Sequence, residues 1–169
     1  CSALTVINNL HDGISKIGRQ AFNMCSSLQS FDFPEGLKSI GTMAFIQCSA
    51  LESLYLPDGL ESIGQGAFTG CYALKNISIP FIGLSKTNTD GARLSDAFGY
   101  GSDDAFSNLD TIELRHGEEV PDHAFDAWPN VKNIILPETL KRIGYQAFSN
   151  CRSLVNINIP DGVEIIGSE

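Results

Sequence analysis

The five cysteines are the first residues in this chain whose chemistry would matter. Cys25, Cys48, Cys71 and Cys151 each open a C-x-x-L signal, and Cys1 opens another, offset by one residue from the spacing of the rest. A zinc site needs paired ligands such as C-x-x-C, which place two thiolates on one turn. Single cysteines at wide intervals lack that pairing, so no metal is expected. A cysteine returning at one place is first of all a small buried hydrophobe. Equivalent side chains of stacked segments point the same way, which opposes bridging, and an odd count favours free thiols. The expectation is five free thiols, with the terminal Cys1 the most reactive.

The other groups capable of chemistry are fewer. His116 and His123 bound HGEEVPDH, which is not H-E-x-x-H and has no helical pattern to bring two imidazoles to one face. His11 stands apart, and all three histidines read as surface-turn residues. Asp90, Asp96, Asp103 and Asp104 would offer oxygens to calcium, but without the D-x-D-x-D-G order of a calcium loop. Gly99-Tyr100-Gly101 begins like a dinucleotide fingerprint, yet Asp104 stands where the third glycine belongs. There is no G-x-S-x-G, and no serine or cysteine has a private histidine. The chain is therefore read as non-enzymatic and without a cofactor.

What must position these residues is a repeat. Gly36 to Asp58 reads GLKSIGTMAFIQCSALESLYLPD, and copies of it occupy Gly13 to Glu35, Gly59 to Pro80 and Thr139 to Asp161. Phe22, Phe45 and Phe68 are spaced by 23 residues, as are Phe125 and Phe148. A fixed period of roughly 20–50 residues means a solenoid, here of about seven coils in 169 residues. Leu54 and Leu56 alternate with Ser53 and Tyr55, the period-two signature of a half-buried strand. Pro57 removes a ladder donor and ends the strand, and Asp58-Gly59 turns the chain. Ala44, Phe45 and Cys48 are at helical spacing over a stretch long enough for only one or two turns. A second short strand is expected over Leu37–Ile40. The register breaks once: Leu74 to Leu109 is 35 residues, which implies an insertion of about 12, placed at about 83–105. Ala97-Phe98 and Ala105-Phe106 are the alternatives for its degenerate Ala-Phe. A single domain spans residues 1–169, read as part of a longer array because it starts and stops inside a repeat.

The frame G-L-x-x-I-G-x-x-A-F-x-x-C-x-x-L-x-x-L-x-L-P resembles the BspA-like (Treponema-type) leucine-rich repeat of bacterial surface proteins. The resemblance implies an arc of coils with a parallel β-sheet of short strands on one side and short helical turns on the other. It also implies a cell-surface or secreted protein and, for some members, adhesion to host matrix proteins.

Composition narrows the partners. A net charge of −9, with eleven Lys and Arg scattered along the chain, argues against nucleic acid. No apolar run approaches the roughly 20 residues of a membrane span, so no membrane insertion is expected. The strand residues that face outward should form two columns. One is Ser30, Ser53, Asn76, Thr111, Asn133 and Asn156. The other is Asp32, Tyr55, Ser78, Glu113, Ile135 and Asn158. The candidate partner-binding residues are Tyr55, Asn76, Ser78, Glu113 and Asn133 on these columns, with Phe98 and Tyr100 as anchors in the insertion. The partner expected is an extended protein, such as a host matrix protein, or a glycan. The alternative is a rigid spacer that displays another domain and binds nothing. The uncapped ends should fray or be masked by end-to-end self-association.

Overall fold

Each 23-residue frame contributes one short strand to a front layer and a second to a back layer, and a run of tight turns closes the coil between them. The computed structural model describes residues 1–87, 91–99 and 106–168. In chain order the elements are β1 (Val6–Ile7), β2 (Lys16–Ile17), β3 (Ser30–Phe31), β4 (Ser39–Ile40), β5 (Ser53–Tyr55), β6 (Ser62–Ile63) and β7 (Asn76–Ile79). There follow α1 (Leu94–Phe98), β8 (Thr111–Leu114), β9 (Glu119–Val120), β10 (Asn133–Ile135), β11 (Arg142–Ile143), β12 (Asn156–Ile157) and β13 (Ile165–Ile166).

The front layer holds the pair β1-β3 and a five-stranded sheet in the order β5-β7-β8-β10-β12, all parallel. The back layer is two three-stranded sheets, β2-β4-β6 and β9-β11-β13, also parallel. Parallel neighbours arise because every coil winds in the same sense and returns one rung further along. This is the expected solenoid of about seven coils, with almost no helix.

The alternation read from the sequence sets the facing. Leu54, Ile77, Ile112 and Ile134 point inward and are 0–2% exposed, and the residues flanking them point out. Inside, the phenylalanines stack as a column: Phe22 on Phe45 at 5.0 Å, Phe45 on Phe68 at 5.4 Å, and Phe125 on Phe148 at 5.5 Å between ring centroids. Each fully buried ring contributes about 3 kcal/mol of hydrophobic free energy.

The Gly41 to Cys48 segment and its equivalents are not helical. Alternate N–H groups serve two purposes. Those of Ala44, Ile46 and Cys48 donate three residues back within the coil, whereas those of Met43, Phe45 and Gln47 donate to Gln65, Ala67 and Thr69 of the next coil. The geometry requires left-handed residues just before the Ala-Phe and just before the cysteine, as at Met43 (φ 56°) and Gln47 (φ 61°). A helix would direct every N–H along its own axis and leave the coils unlaced on this side.

The extra residues of the fourth full coil do not form one loop. Ala97-Phe98 takes the Ala-Phe place: Phe68 N–H donates to Ala97 O at 2.9 Å, and the Phe98 ring stacks 5.3 Å from Phe68. Phe106 then takes the cysteine place, with Leu109 N–H donating to its carbonyl at 2.9 Å. Helix α1 therefore divides the additional residues into a part before it and a part after it. The Asp96 carboxylate accepts the Arg93 N–H at 2.9 Å at its start, and Leu94 N–H donates to Ala124 O of the following coil at 2.9 Å. On the back, Ser85 bridges Ser62 in the antiparallel sense. Pro121 then stands at the frame's glycine place and has no N–H for a preceding strand. The back layer is broken between β6 and β9 for these two reasons.

The cysteines correct one expectation. Cys1 and Cys25 form a disulfide, with Cα atoms 4.5 Å apart, and Cys48, Cys71 and Cys151 are free. The cysteines 23 residues apart, Cys25, Cys48 and Cys71, are not bridged to one another. Cys1 is 24 residues from Cys25. The β1-β3 register pairs Val6 with Ser30, so Cys1 and Cys25 stand at the same place in two adjacent coils and the extra residue falls after β1. The free thiols donate to the carbonyl 26 residues earlier: Cys48 to Phe22, Cys71 to Phe45 and Cys151 to Phe125, at 3.1–3.3 Å. Burial pushes Cys48 and Cys151 up to about 11 and raises Cys71 further still.

Candidate functional site

The front sheet assembles the two outward columns. Register aligns Ser53, Asn76, Thr111, Asn133 and Asn156 in one row, and Tyr55, Ser78, Glu113 and Ile135 in the other. Between Tyr55 and Ile135 lies a shallow depression of about 370 Å³, lined along this row by Tyr55, Ser78, Glu113 and Ile135.

The first row is a polar ladder. Asn156 Nδ2 donates to Asn133 Oδ1 at 2.9 Å, and Asn133 Nδ2 donates to Asp110 Oδ2 at 2.9 Å. Asp110 also accepts from Lys132 at 2.8 Å, and this bond, first among the causes, holds its carboxyl below the usual carboxylate value. Next to the ladder, the Asn158 amide satisfies both the N–H and the carbonyl of Leu136.

The second row ends in a network that sequence reasoning missed. Arg115 lies just past β8 and reaches back across two coils. Its Nε and Nη2 both donate to Asp58 Oδ1, at 2.9 and 2.7 Å, and Nη1 donates to Ser78 Oγ at 2.6 Å. Nη2 also donates to the carbonyl of Leu56. The guanidinium carbon sits 4.2 Å from the centre of the Tyr55 ring. Ser78 Oγ in turn donates to Glu113 Oε2 at 2.5 Å, and His116 Nε2 is 3.0 Å from Asp58 Oδ1. The Arg115 hydrogen bond, followed by His116, keeps the Asp58 carboxyl below its usual range. A signal for this was available. Front strands end in Pro34, Pro57, Pro80, Pro137 and Pro160, and only after β8 does arginine replace the proline. The change restores a ladder donor, used by Arg115 N–H to Ile79 O at 2.9 Å.

The insertion residues fare differently. Phe98 is 1% exposed, packed edge-on against Phe106 and Trp128 and stacked on Phe68. It is part of the core, so it is withdrawn as a partner anchor: the fourth full coil needs a ring in the phenylalanine column, and Phe98 supplies it. Tyr100, Asp90, Asp103 and Asp104 lie outside the described residues. Among the described residues, no group of three or more His, Cys, Asp or Glu is placed to hold a metal ion. No helix among them is long and apolar enough to cross a membrane. What the front face offers is hydrogen-bonding side chains, one exposed tyrosine and a row of fixed charges.

The alternation of front strand, turn run and back strand, repeated every 23 residues, defines a leucine-rich-repeat solenoid. Residues 1–90 and 118–169 match the family described as BspA type Leucine rich repeat region, in six copies, and the chain belongs to that family. The fold is similar to that of a leucine-rich repeat protein from Eubacterium ventriosum, at 21% identity and a TM-score of 0.67, over 97% of this chain and 42% of that one. It is also similar to the T. pallidum leucine rich repeat protein, at 19% identity and a TM-score of 0.52, over 88% of this chain and 76% of that one. The chain thus spans less than half the length of the first of these. None of the curated proteins matches the chain in sequence.

Proposed function

We propose that this chain is a non-catalytic binding module of an extracellular bacterial protein, and that it engages an extended protein or glycan partner on the front strand face. The observation that carries the reading is the unbroken five-stranded sheet, which aligns the outward columns across the place where the back layer is interrupted. The core needs only the inward residues. Asn156, Asn133 and Thr111 in one row and Tyr55, Ser78 and Glu113 in the other are held by side-chain contacts, so a partner would meet a partly preformed surface at reduced entropic cost. The Cys1–Cys25 disulfide supports an oxidising, extracellular setting.

The test is to immobilise the chain and measure binding to a panel of matrix proteins and glycans. Tyr55→Ala combined with Asn76→Ala should abolish binding while the urea midpoint moves little. The spacer reading is favoured by the inter-coil hydrogen bonds of the front sheet and of the turn run, which would stiffen an arm. It takes the lead if the parent chain binds nothing on the panel at high micromolar concentration.

A further inference from the structure

On the reading that the front face binds a partner, we propose that the row Tyr55, Ser78, Glu113, Ile135 receives an extended peptide through one of its basic side chains, with Glu113 taking the cation and Tyr55 and Ile135 taking apolar residues on either side.

Of the front-face acids, Asp32 and Glu113 have no salt bridge among the described residues, and of these two only Glu113 is half-buried and lines the depression. Glu52 is paired with Lys75 at 2.7 Å, Asp110 with Lys132 at 2.8 Å and Asp58 with Arg115 at 2.7 Å. Glu113 has no cationic partner among the described residues and accepts only the Ser78 hydroxyl, on Oε2. The nearest cation along the chain, Arg115, reaches Glu113 only through the Ser78 hydroxyl, and its other donors and its face go to Asp58, the Leu56 carbonyl and the Tyr55 ring. A half-buried carboxylate with one oxygen unused, at the centre of a depression, is complementary to a lysine or arginine side chain. The excess negative charge of the chain steers such a partner towards it.

The flanks fit the same occupant. Tyr55 is 56% and Ile135 44% exposed, both large for a wetted sheet. Arg115 stacks on one face of the tyrosine ring and so fixes it, leaving the remainder free for contact. Rungs are about 4.8 Å apart, so the three steps from Tyr55 to Ile135 span about 14 Å, which four or five residues of extended chain cover. A neutral glycan would use the tyrosine and the asparagine ladder and could donate hydroxyls to Glu113, but carries no cation to match its charge.

The probe is a phage-displayed library of nine-residue random peptides selected on the full chain. The expected result is enrichment of Lys or Arg with aliphatic or aromatic residues within a few positions. A selected peptide should then bind E113Q about tenfold more weakly, as expected for loss of one partly desolvated charge pair. Glutamine keeps an acceptor for Ser78, and the urea midpoint of E113Q checks that the fold is retained. The exposed E118Q, outside the row, should bind like the parent, and selection on E113K should turn towards acidic peptides. Peptides that bind without basic enrichment, or bind E113Q as well as the parent, while still needing Tyr55, overturn this inference and leave the front-face reading standing. If no peptide is recovered, or if binding is indifferent to Tyr55, Asn76 and Glu113 alike, both are overturned.

Discussion

Phe98 separates a core aromatic from a loop anchor at the level of a single side chain. Stacked on Phe68 and 1% exposed, it should behave like Phe45 and Phe68. Replacing any of the three by alanine should cost about 3–5 kcal/mol, read from urea unfolding. Tyr55→Ala, on the outward row, should cost about 1 kcal/mol, chiefly the contact with Arg115. Equal losses at Phe98 and Tyr55 would contradict the facing described above. The thiols give a second residue-scale test. Denatured, unreduced protein should titrate three thiols, those of Cys48, Cys71 and Cys151, and reduction should release two more. Burial raises Cys48 and Cys151 from 9.0 to about 11 in the folded chain, so the unfolded chain ionises first as pH rises. Their contribution to stability is complete below pH 9.0 and is lost between there and about 11. The drop in urea midpoint across that window should be smaller for Cys48→Ala than for the parent; an equal drop would mean a solvated thiol.

At the scale of the element, the glycine after each back strand is set by how closely coils approach. A Cβ on Gly64 would lie 2.1 Å from Thr42 N and 2.4 Å from Gly41 C, both backbone atoms that cannot step aside. Gly18 occupies the same frame place in the first full coil and has nothing within 4 Å. Gly64→Ala should therefore cost about 3 kcal/mol, and Gly18→Ala should stay within about 0.5 kcal/mol. Calorimetric melting of both variants makes the comparison, and similar losses would mean that helix or turn propensity, not coil contact, sets the residue. Helix α1 answers to the same logic. Its Ala97 carbonyl and Leu94 N–H are hydrogen-bonded to the coils before and after it. Replacing Ser85–Asp104 by a short Gly-Ser linker, which removes that element, should abolish cooperative unfolding.

For the whole molecule, stability should be graded along the solenoid axis, because each coil is held only by its neighbours. The central phenylalanines Phe45 and Phe68 are fully buried, whereas Ile165 and Ile166 of β13 are 55% and 63% exposed. Amide hydrogen exchange should be slowest between Leu37 and Leu114 and fastest after Pro160. Before Gly13 it should accelerate markedly on reduction, when the Cys1–Cys25 bridge no longer ties the first coil to the second. Uniform protection to the last coil, in a chain that sediments as a monomer, would contradict nearest-neighbour stabilisation.

Much of this was legible along the chain because a solenoid repeats one local contact many times. The 23-residue period, the inward leucines and isoleucines, the outward columns and the strand-ending prolines follow from near-neighbour patterning. The register of the front sheet aligns the columns from Ser53 to Asn156 and from Tyr55 to Ile135, while Ser30 and Asp32 fall outside that sheet and Asn158 turns to Leu136. Tertiary structure decided what the period does not contain. The turn run was mistaken for helix because Ala44, Phe45 and Cys48 have helical spacing, whereas its N–H groups are shared between coils. The Cys1–Cys25 bridge joins the same place in two adjacent coils, a contact made only when the coils are stacked. Phe98 read both as a loop anchor and as one of two alternatives for the Ala-Phe, and its place in the phenylalanine column, at the end of α1, decides for the second. Arg115 meets Asp58 and Leu56 across 57 and 59 residues. No frame position predicts that contact, since only the winding of the coils brings a strand end two rungs away within reach of a guanidinium.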